Sequence, residues 1–214
     1  MVRYRLKDEG AKTIIIKFFL APLILLLGIV ILYLGLDRST FLIIGGFMIA
    51  YFFPPLGKES VIPMAVSTGC HPLSIASAVA FLDIVVALFL LWNYDFVKLA
   101  PYLGAWMDRF EKKGNDLGER KPWMKSIEFI AVILFVIFPF QGSGGVGGTI
   151  LGRLLGLNRY IVFTAISIGS VSGCLLIAYT AETIKQIFLR NIYVGSLIII
   201  IIIAVFFLYY LKRQ

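Results

Sequence analysis

Two hydrophobic segments of this chain are interrupted by proline and glycine before either is long enough to cross a membrane. The first interruption covers residues 53–63 and reads Phe-Pro-Pro-Leu-Gly-Lys-Glu-Ser-Val-Ile-Pro. The second covers residues 138–148 and reads Phe-Pro-Phe-Gln-Gly-Ser-Gly-Gly-Val-Gly-Gly. Broken backbone at membrane depth is tolerated only where protein encloses it or where it lines a water-filled cavity. A pair of such breaks in corresponding halves of a chain indicates a transport site.

The composition is that of an integral membrane protein. The chain is 60% hydrophobic and 15% charged, with a mean hydropathy of +0.94. A transmembrane helix needs about 20 apolar residues. Four stretches meet or approach that length: 14–36, 71–92, 160–181 and 192–211. We expect the first to be a span and not a cleaved signal, because its apolar run is long and no small-residue cleavage site follows it.

The net charge of +8 does not indicate nucleic-acid binding, because the basic residues lie beside the predicted spans or among acids in a central loop. Lysine and arginine concentrate at the N-terminus, in the loop 93–125 and at Lys212-Arg213. Cytoplasmic loops of membrane proteins carry such an excess. We therefore expect no nucleic-acid partner and place all three regions in the cytoplasm.

This placement determines the topology. An even number of crossings must separate each basic region from the next, which requires the segments at about 40–70 and about 126–156 to enter and leave by the same face. We predict an all-α polytopic membrane protein with four full transmembrane helices and two opposed re-entrant helical hairpins in an inverted repeat. The N- and C-termini are then cytoplasmic, and the membrane is the cell (cytoplasmic) membrane.

The chain is predicted to form a single integral membrane domain, 1–214, with a first half at 1–92 and a second half at 126–214. The cytoplasmic loop 93–125 between them contains an amphipathic pattern. Its apolar positions are Leu99, Leu103, Trp106 and Phe110. The sequence leaves open whether the protein is a monomer or a homodimer.

A short internal similarity supports the division into two halves. Gly69-Cys70-His71 begins one predicted span, and Gly156-Leu157-Asn158 begins another. Each triplet follows a short arm that leads back from a break. Opposed hairpins related in this way meet near the midplane, where transporters place their sites.

Two acidic residues are candidates for proton coupling. Glu59 lies at the first break, and Asp83 lies near the middle of the span that follows. An ionisable residue within a membrane segment is a functional candidate by default. The alternatives are a salt bridge of Glu59 with the adjacent Lys58 and a structural pairing of Asp83 with an arginine.

The second break is a candidate anion site. Its glycines can present backbone N–H groups, and the arm that begins near Gly147 adds a helix N-terminus. Arginines follow at 153 and 159, and arginine binds phosphate through two parallel hydrogen bonds. The candidate substrate-binding residues are Arg153, Arg159, Gly142, Ser143, Gly144, Gly145, Gly147 and Gly148. The alternatives are that the glycines serve close packing and that Arg159 reaches to the membrane interface.

The sequence does not indicate an enzyme. Ser143 and the single histidine, His71, lack the spacing of a nucleophile with its base and orienting group. Cys70 and Cys174 have no metal-ligand spacing and are expected to be small packing residues. We expect no catalytic residue, no metal and no cofactor.

The two interruptions also carry a family resemblance. Residues 59–63, Glu-Ser-Val-Ile-Pro, resemble the Glu-x-x-x-Pro element of the prokaryotic small multidrug export family. Residues 138–148 resemble its proline- and glycine-rich second element, which follows a charged loop. That family resembles the wider DedA (SNARE-associated, VTT-domain) superfamily, and the resemblance covers roughly 52–179.

The superfamily implies opposed re-entrant hairpins, transport linked to the proton-motive force and, for some members, lipid flipping. Its members use acids in the first half and an arginine pair in the second. By this resemblance Glu59 matches the hairpin acid, and Gly152-Arg153 with Arg159 matches the arginine element. Asp83 lies well along the following helix, and Leu157-Asn158 replaces the usual proline between the arginines.

These observations predict a DedA-like transporter or flippase, proton-coupled, for an anionic or phosphorylated lipid or amphiphile. The expected partners are membrane lipids, that substrate and protons. One alternative is an exporter of small organic cations that bind at the acids. Another is a membrane scaffold that transports nothing.

Overall fold

The computed structural model describes residues 11–53, 56–93, 122–190 and 193. In these ranges every regular element is a helix, as predicted. Helices follow in the order α1 Ala11–Gly35, α2 Arg38–Ala50, α3 Lys58–Ser67, α4 Pro72–Trp92, α5 Pro122–Ile137, α6 Gly145–Leu154 and α7 Arg159–Arg190. The predicted span at 192–211, apart from Tyr193, lies outside the described residues, as do the amphipathic loop pattern and both termini.

Three of these helices are long and apolar enough to cross a membrane: Ile16–Gly35, Pro72–Trp92 and Arg159–Arg190. They confirm the prediction of a polytopic helical membrane protein. The sequence placed the end of the third near residue 181, but α7 continues to Arg190. No glycine or proline interrupts this extension, and the Gln186 amide donates to Glu182 within it at 3.0 Å.

Both predicted breaks are present, and the helices beside them are short. Helices α2, α3, α5 and α6 contain 13, 10, 16 and 10 residues. At about 1.5 Å per residue they are roughly 15–24 Å long, less than the ~30 Å core of a bilayer. Helix α2 packs on α3, and α5 packs on α6. Each break therefore joins two contacting half-helices, and their entry from opposite membrane faces stays a prediction.

Helix α2 begins at a capped position in the connection from α1. The Asp37 carboxylate accepts hydrogen bonds from the Thr40 N–H at 3.0 Å and the Ser39 hydroxyl at 2.8 Å. These donors, the Thr40 N–H above all, lower the pKa of Asp37 to about 2. The cap is therefore ionised at physiological pH and satisfies a free N–H of the first turn.

Helices α3 and α6 begin and end alike. Gly57 and Gly144, which precede them, are both extended and provide no side-chain cap. Both ends turn through a glycine with positive φ, +99° at Gly69 and +78° at Gly156. The N–H groups of the glycine and of the following residue then close the end in the same hydrogen-bond pattern. The two glycines that precede the helices, Gly57 and Gly144, are 87 residues apart, and so are Gly69 and Gly156 at their ends. This constant offset is the spacing of an internal repeat.

The next residue continues the correspondence. His71 Nδ1 accepts from the Leu73 N–H at the start of α4, and Asn158 Oδ1 accepts from the Tyr160 N–H at the start of α7. The two predicted triplets thus form the same turn into a long helix. His71 serves as a helix cap in this arrangement.

The halves interlock around α4 and α7, which pack along each other. The short helix α3 also packs on α7 of the second half, and α6 packs on α4 of the first half. This exchange of short arms is the packing expected of two related halves. Helix α1 lies at the edge, with only 6% of its apolar window buried, and leaves an apolar surface suited to lipid.

Candidate functional site

The two breaks meet at one cavity of about 340 Å³, which we call the central cavity. Its walls come from the end of α2, the start of α3, the middle of α4 and the residues that lead into α6. Its polar and glycine lining includes Tyr51, Gly57, Lys58, Asp83, Gln141 and Gly145. The interruptions noticed in the sequence therefore line the same space.

Asp83 is the centre of a hydrogen-bond network that joins both halves. Its side chain is 2% exposed. Oδ1 accepts from the Tyr51 hydroxyl at 2.7 Å and from the Gly145 N–H at 2.8 Å. Oδ2 accepts from the Ser170 hydroxyl at 2.7 Å. A buried carboxylate is costly unless hydrogen bonds compensate it, and here three neutral donors do so.

The glycines before α6 allow this approach. A Cβ at Gly145 would overlap the backbone carbonyl oxygen of Asp83, and a Cβ at Gly144 would overlap its carboxylate. Gly145 is the first residue of α6, where the helix dipole favours an anion. In the described structure, the anion at this helix terminus is the chain's own Asp83.

Lys58 is a buried basic residue on the same cavity. Its side chain is 1% exposed, and its ammonium donates to the carbonyl of Val136 near the end of α5. That carbonyl lacks a helical partner because the Phe140 N–H bonds to Phe138 O at 3.0 Å instead. A cation at a helix C-terminus satisfies such carbonyls and is favoured by the dipole.

Glu59 faces a different space from Lys58, and the two form no ion pair. It lies at one end of a cavity of about 630 Å³, the apolar groove, between α3, Pro139 and the outer half of α7. Its Oε2 atom is buried and has no hydrogen-bond partner among the described residues. Near the other end, Lys185 donates to Val66 O at 2.7 Å.

The remaining residues of the glycine run build the turn and the packing of α6. Gly142 has a φ of +84°, and the Ser143 hydroxyl donates to Phe138 O at 2.7 Å. A Cβ at Gly148 would come within 2.7 Å of a methyl group of Val136, and a Cβ at Gly147 would overlap Gly142 O. These contacts agree with the close-packing alternative, and a substrate role for these residues stays a prediction.

Arg153 and Arg159 are not brought together with the glycine amides. Arg153 is in the last turn of α6, about 12 Å along the helix from Gly145. Its Nη1 donates to Leu157 O at 3.0 Å, and Arg159 is an exposed residue at the start of α7. The two arginines share one end of the second half, and their binding of a head group stays a prediction.

A comparison with protein families identifies the family of this chain. A family model described as "Putative small multi-drug export protein" matches residues 59–177, which is more than half of the 214 residues. The chain belongs to this family. No curated protein matches the chain, and no solved structure matches it.

The family match contains Glu59, Asp83, Gly145 and Ser170, while Lys58 lies one residue before it. Sequence reasoning missed Tyr51, Gln141 and Ser170 and considered Lys58 only as a partner for Glu59. Ser170 had a usable signal, since it follows Asp83 by the same 87 residues that separate the glycine turns. Equivalent positions on α4 and α7 are thus hydrogen-bonded to each other.

The described residues include no group of three histidine, cysteine or acidic side chains that could hold a metal ion. Cys70 and Cys174 are buried free thiols in the core around α3, α4 and α7. His71 and Ser143 each have the local hydrogen-bond partner named above and are not bonded to one another.

Proposed function

We propose that this member of the small multi-drug export family is a proton-coupled membrane exporter of amphiphilic organic cations. One observation carries the proposal: the Glu59 carboxylate, which lines the apolar groove, has a buried oxygen with no hydrogen-bond partner among the described residues. A buried polar atom without a hydrogen bond is costly. Either a proton or the charged group of a cationic ligand would relieve that cost.

The groove suits the rest of such a molecule. Its volume of about 630 Å³ is that of a site for a drug-sized ligand. Apolar side chains of α7 form much of its wall, among them Leu176, Ile184, Phe188 and Leu189. An amphiphilic cation would place its apolar body on this wall and its charge at Glu59.

A single carboxylate with two competing ligands is sufficient for exchange. When Glu59 is ionised it attracts the cation, and when it is protonated that attraction is lost. Cation affinity is therefore highest in alkaline solution and falls as the solution becomes more acidic. Across a membrane, a proton entering from the acidic side would displace the cation there.

The test is the pH dependence of tetraphenylphosphonium binding to the purified full chain in nanodiscs. We expect wild-type affinity to fall on acidification. In Glu59→Gln we expect affinity about tenfold or more below wild type at alkaline pH, with little pH dependence, since the charge is gone. The control is Glu182→Gln on α7, whose carboxylate accepts from Gln186 and does not line the groove. Wild-type binding in Glu59→Gln would refute the proposal.

A second candidate is DedA-like movement of an anionic or phosphorylated lipid. It is favoured by the position of Arg153 and Arg159 on either side of the Gly156 turn. In this candidate the arginines hold the head group and the acids carry protons. Thermal stabilisation by phosphatidylglycerol that Arg153→Ala abolishes, together with no response to tetraphenylphosphonium, would favour it over the first.

The membrane arrangement is part of the proposal. The two half-helix pairs would enter from opposite faces of the cell membrane, with the basic loop 93–125 in the cytoplasm. Reporter fusions within that loop test the orientation directly. A reporter active only outside the cell would contradict it.

A further inference from the structure

Lys58 is bonded to the kind of group that holds inorganic cations in many transporters. It bonds to a carbonyl left free near the end of the broken helix α5, that of Val136. Freed carbonyls and C-terminal ends of half-helices are the groups that coordinate Na⁺ in transporters built from discontinuous helices. The export mechanism proposed for Glu59 does not use Lys58.

The same cavity also contains an acidic residue. Asp83 lines the central cavity together with Lys58. No direct ion pair joins them, because Lys58 bonds to Val136 and Asp83 to three neutral donors. Among the described residues that line the cavity, Lys58 is the basic one and Asp83 the acidic one, and both are almost fully buried.

We propose that the Lys58 ammonium is a built-in substitute for a small monovalent cation, and that removing it opens a site for Na⁺ or K⁺ between Val136 O and Asp83. Both groups offer the oxygen atoms that such cations prefer. The ammonium carries the same charge but is covalently attached, so it cannot be carried across. Transport by the wild type would then need no Na⁺, a consequence that rests on the proposed function, whereas the site itself does not.

Lys185 provides a matched control within the chain. Its ammonium also donates to a carbonyl at the end of a short helix, Val66 O on α3, at 2.7 Å. Lys185 is partly exposed, whereas Lys58 is 1% exposed. Water can therefore replace the Lys185 ammonium, and removal of that side chain should create no demand for a cation.

The experiment compares the melting temperature of the purified full chain in NaCl and in choline chloride at equal ionic strength. Wild type should have the same melting temperature in the two salts, and so should Lys185→Ala. Lys58→Ala should melt lower than wild type in choline chloride and recover in NaCl with saturation. At a concentration of 100 times Kd the recovery should be roughly 5–10 °C. Adding Asp83→Asn to Lys58→Ala should remove most of that recovery.

Equal melting of Lys58→Ala in the two salts would overturn the proposal, as would a Na⁺ requirement in the wild type. If Lys58→Ala does not fold in either salt, Lys58→Gln keeps an N–H donor for Val136 O but leaves Asp83 without a cation. Stabilisation of Lys58→Gln by NaCl over choline chloride supports the proposal, and its absence overturns it. The melting outcomes do not depend on tetraphenylphosphonium or Glu59, so their failure is distinct from failure of the export proposal.

Discussion

Replacing Asp83 tests whether the central network holds the two halves together. Asp83→Ala removes the acceptor for Tyr51, Ser170 and Gly145 in one step. The two hydroxyls can rotate, but the Gly145 N–H is fixed at the start of α6 and is left buried. Tyr51, Gly145 and Ser170 should therefore all lose their contact with α4 in the same variant.

The size of the effect follows from these contacts. An unsatisfied buried donor costs about 1–3 kcal/mol, and each further hydrogen bond that is lost costs about 0.5–1.5 kcal/mol. We expect about 3–5 kcal/mol for Asp83→Ala, since the hydroxyls recover part of their loss. Asp83→Asn keeps Oδ1 for Tyr51 and Gly145 and should cost only about 1–2 kcal/mol. At about 2–4 °C per kcal/mol these correspond to losses of roughly 6–20 °C and 2–8 °C.

The assay is the melting temperature of the purified full chain in detergent, followed by loss of its monodisperse elution peak. Ser170→Ala, which removes one of the three donors, should fall between wild type and Asp83→Ala. The matched control is Ser172→Ala, an exposed serine on the same helix, which should melt like wild type. An Asp83→Ala protein within about 2 °C of wild type would refute the reasoning, since that is less than 1 kcal/mol.

Two further substitutions test the close approach and the repeat. Gly145→Ala places a Cβ on the Asp83 carbonyl oxygen and should lower the stability by about 1–3 kcal/mol or more. Gly46→Ala on α2 meets nothing within 4 Å and should be neutral or stabilising in the same melting assay. Equal effects of the two would contradict the packing at the start of α6. The exchange Asp83→Ser with Ser170→Asp should melt above either single variant, because equivalent positions can form the bond with its direction reversed. A double variant no better than the worse single would contradict the equivalence.

The sequence predicts the framework of this fold because proline and glycine act locally. The two breaks, the helical class and the matching turns at Gly69 and Gly156 all follow from residues that restrict or free the backbone at their own positions. The exact repeat spacing was present in the sequence as well. Applied to Asp83, it identifies Ser170 as a partner.

The partners within the site could not be predicted, because they depend on the direction of each side chain. Lys58 and Glu59 are adjacent, yet successive residues of a helix point about 100° apart, so one enters the central cavity and the other the groove. Arg153 and the glycine run appear close in sequence, but the run ends in the first turn of α6 and Arg153 lies in its last turn. Asp83 has neutral donors where an arginine was considered, which no local pattern indicates.

If a cation replaces a proton at Glu59, the number of protons released on cation binding reports that exchange. Tetraphenylphosphonium is added to the full chain in weakly buffered, mildly acidic solution while the released protons are titrated. Wild type should release up to about one proton per bound cation, and Glu59→Gln should release none. Cation binding without proton release at any acidic pH, or equal release from Glu59→Gln, would contradict it.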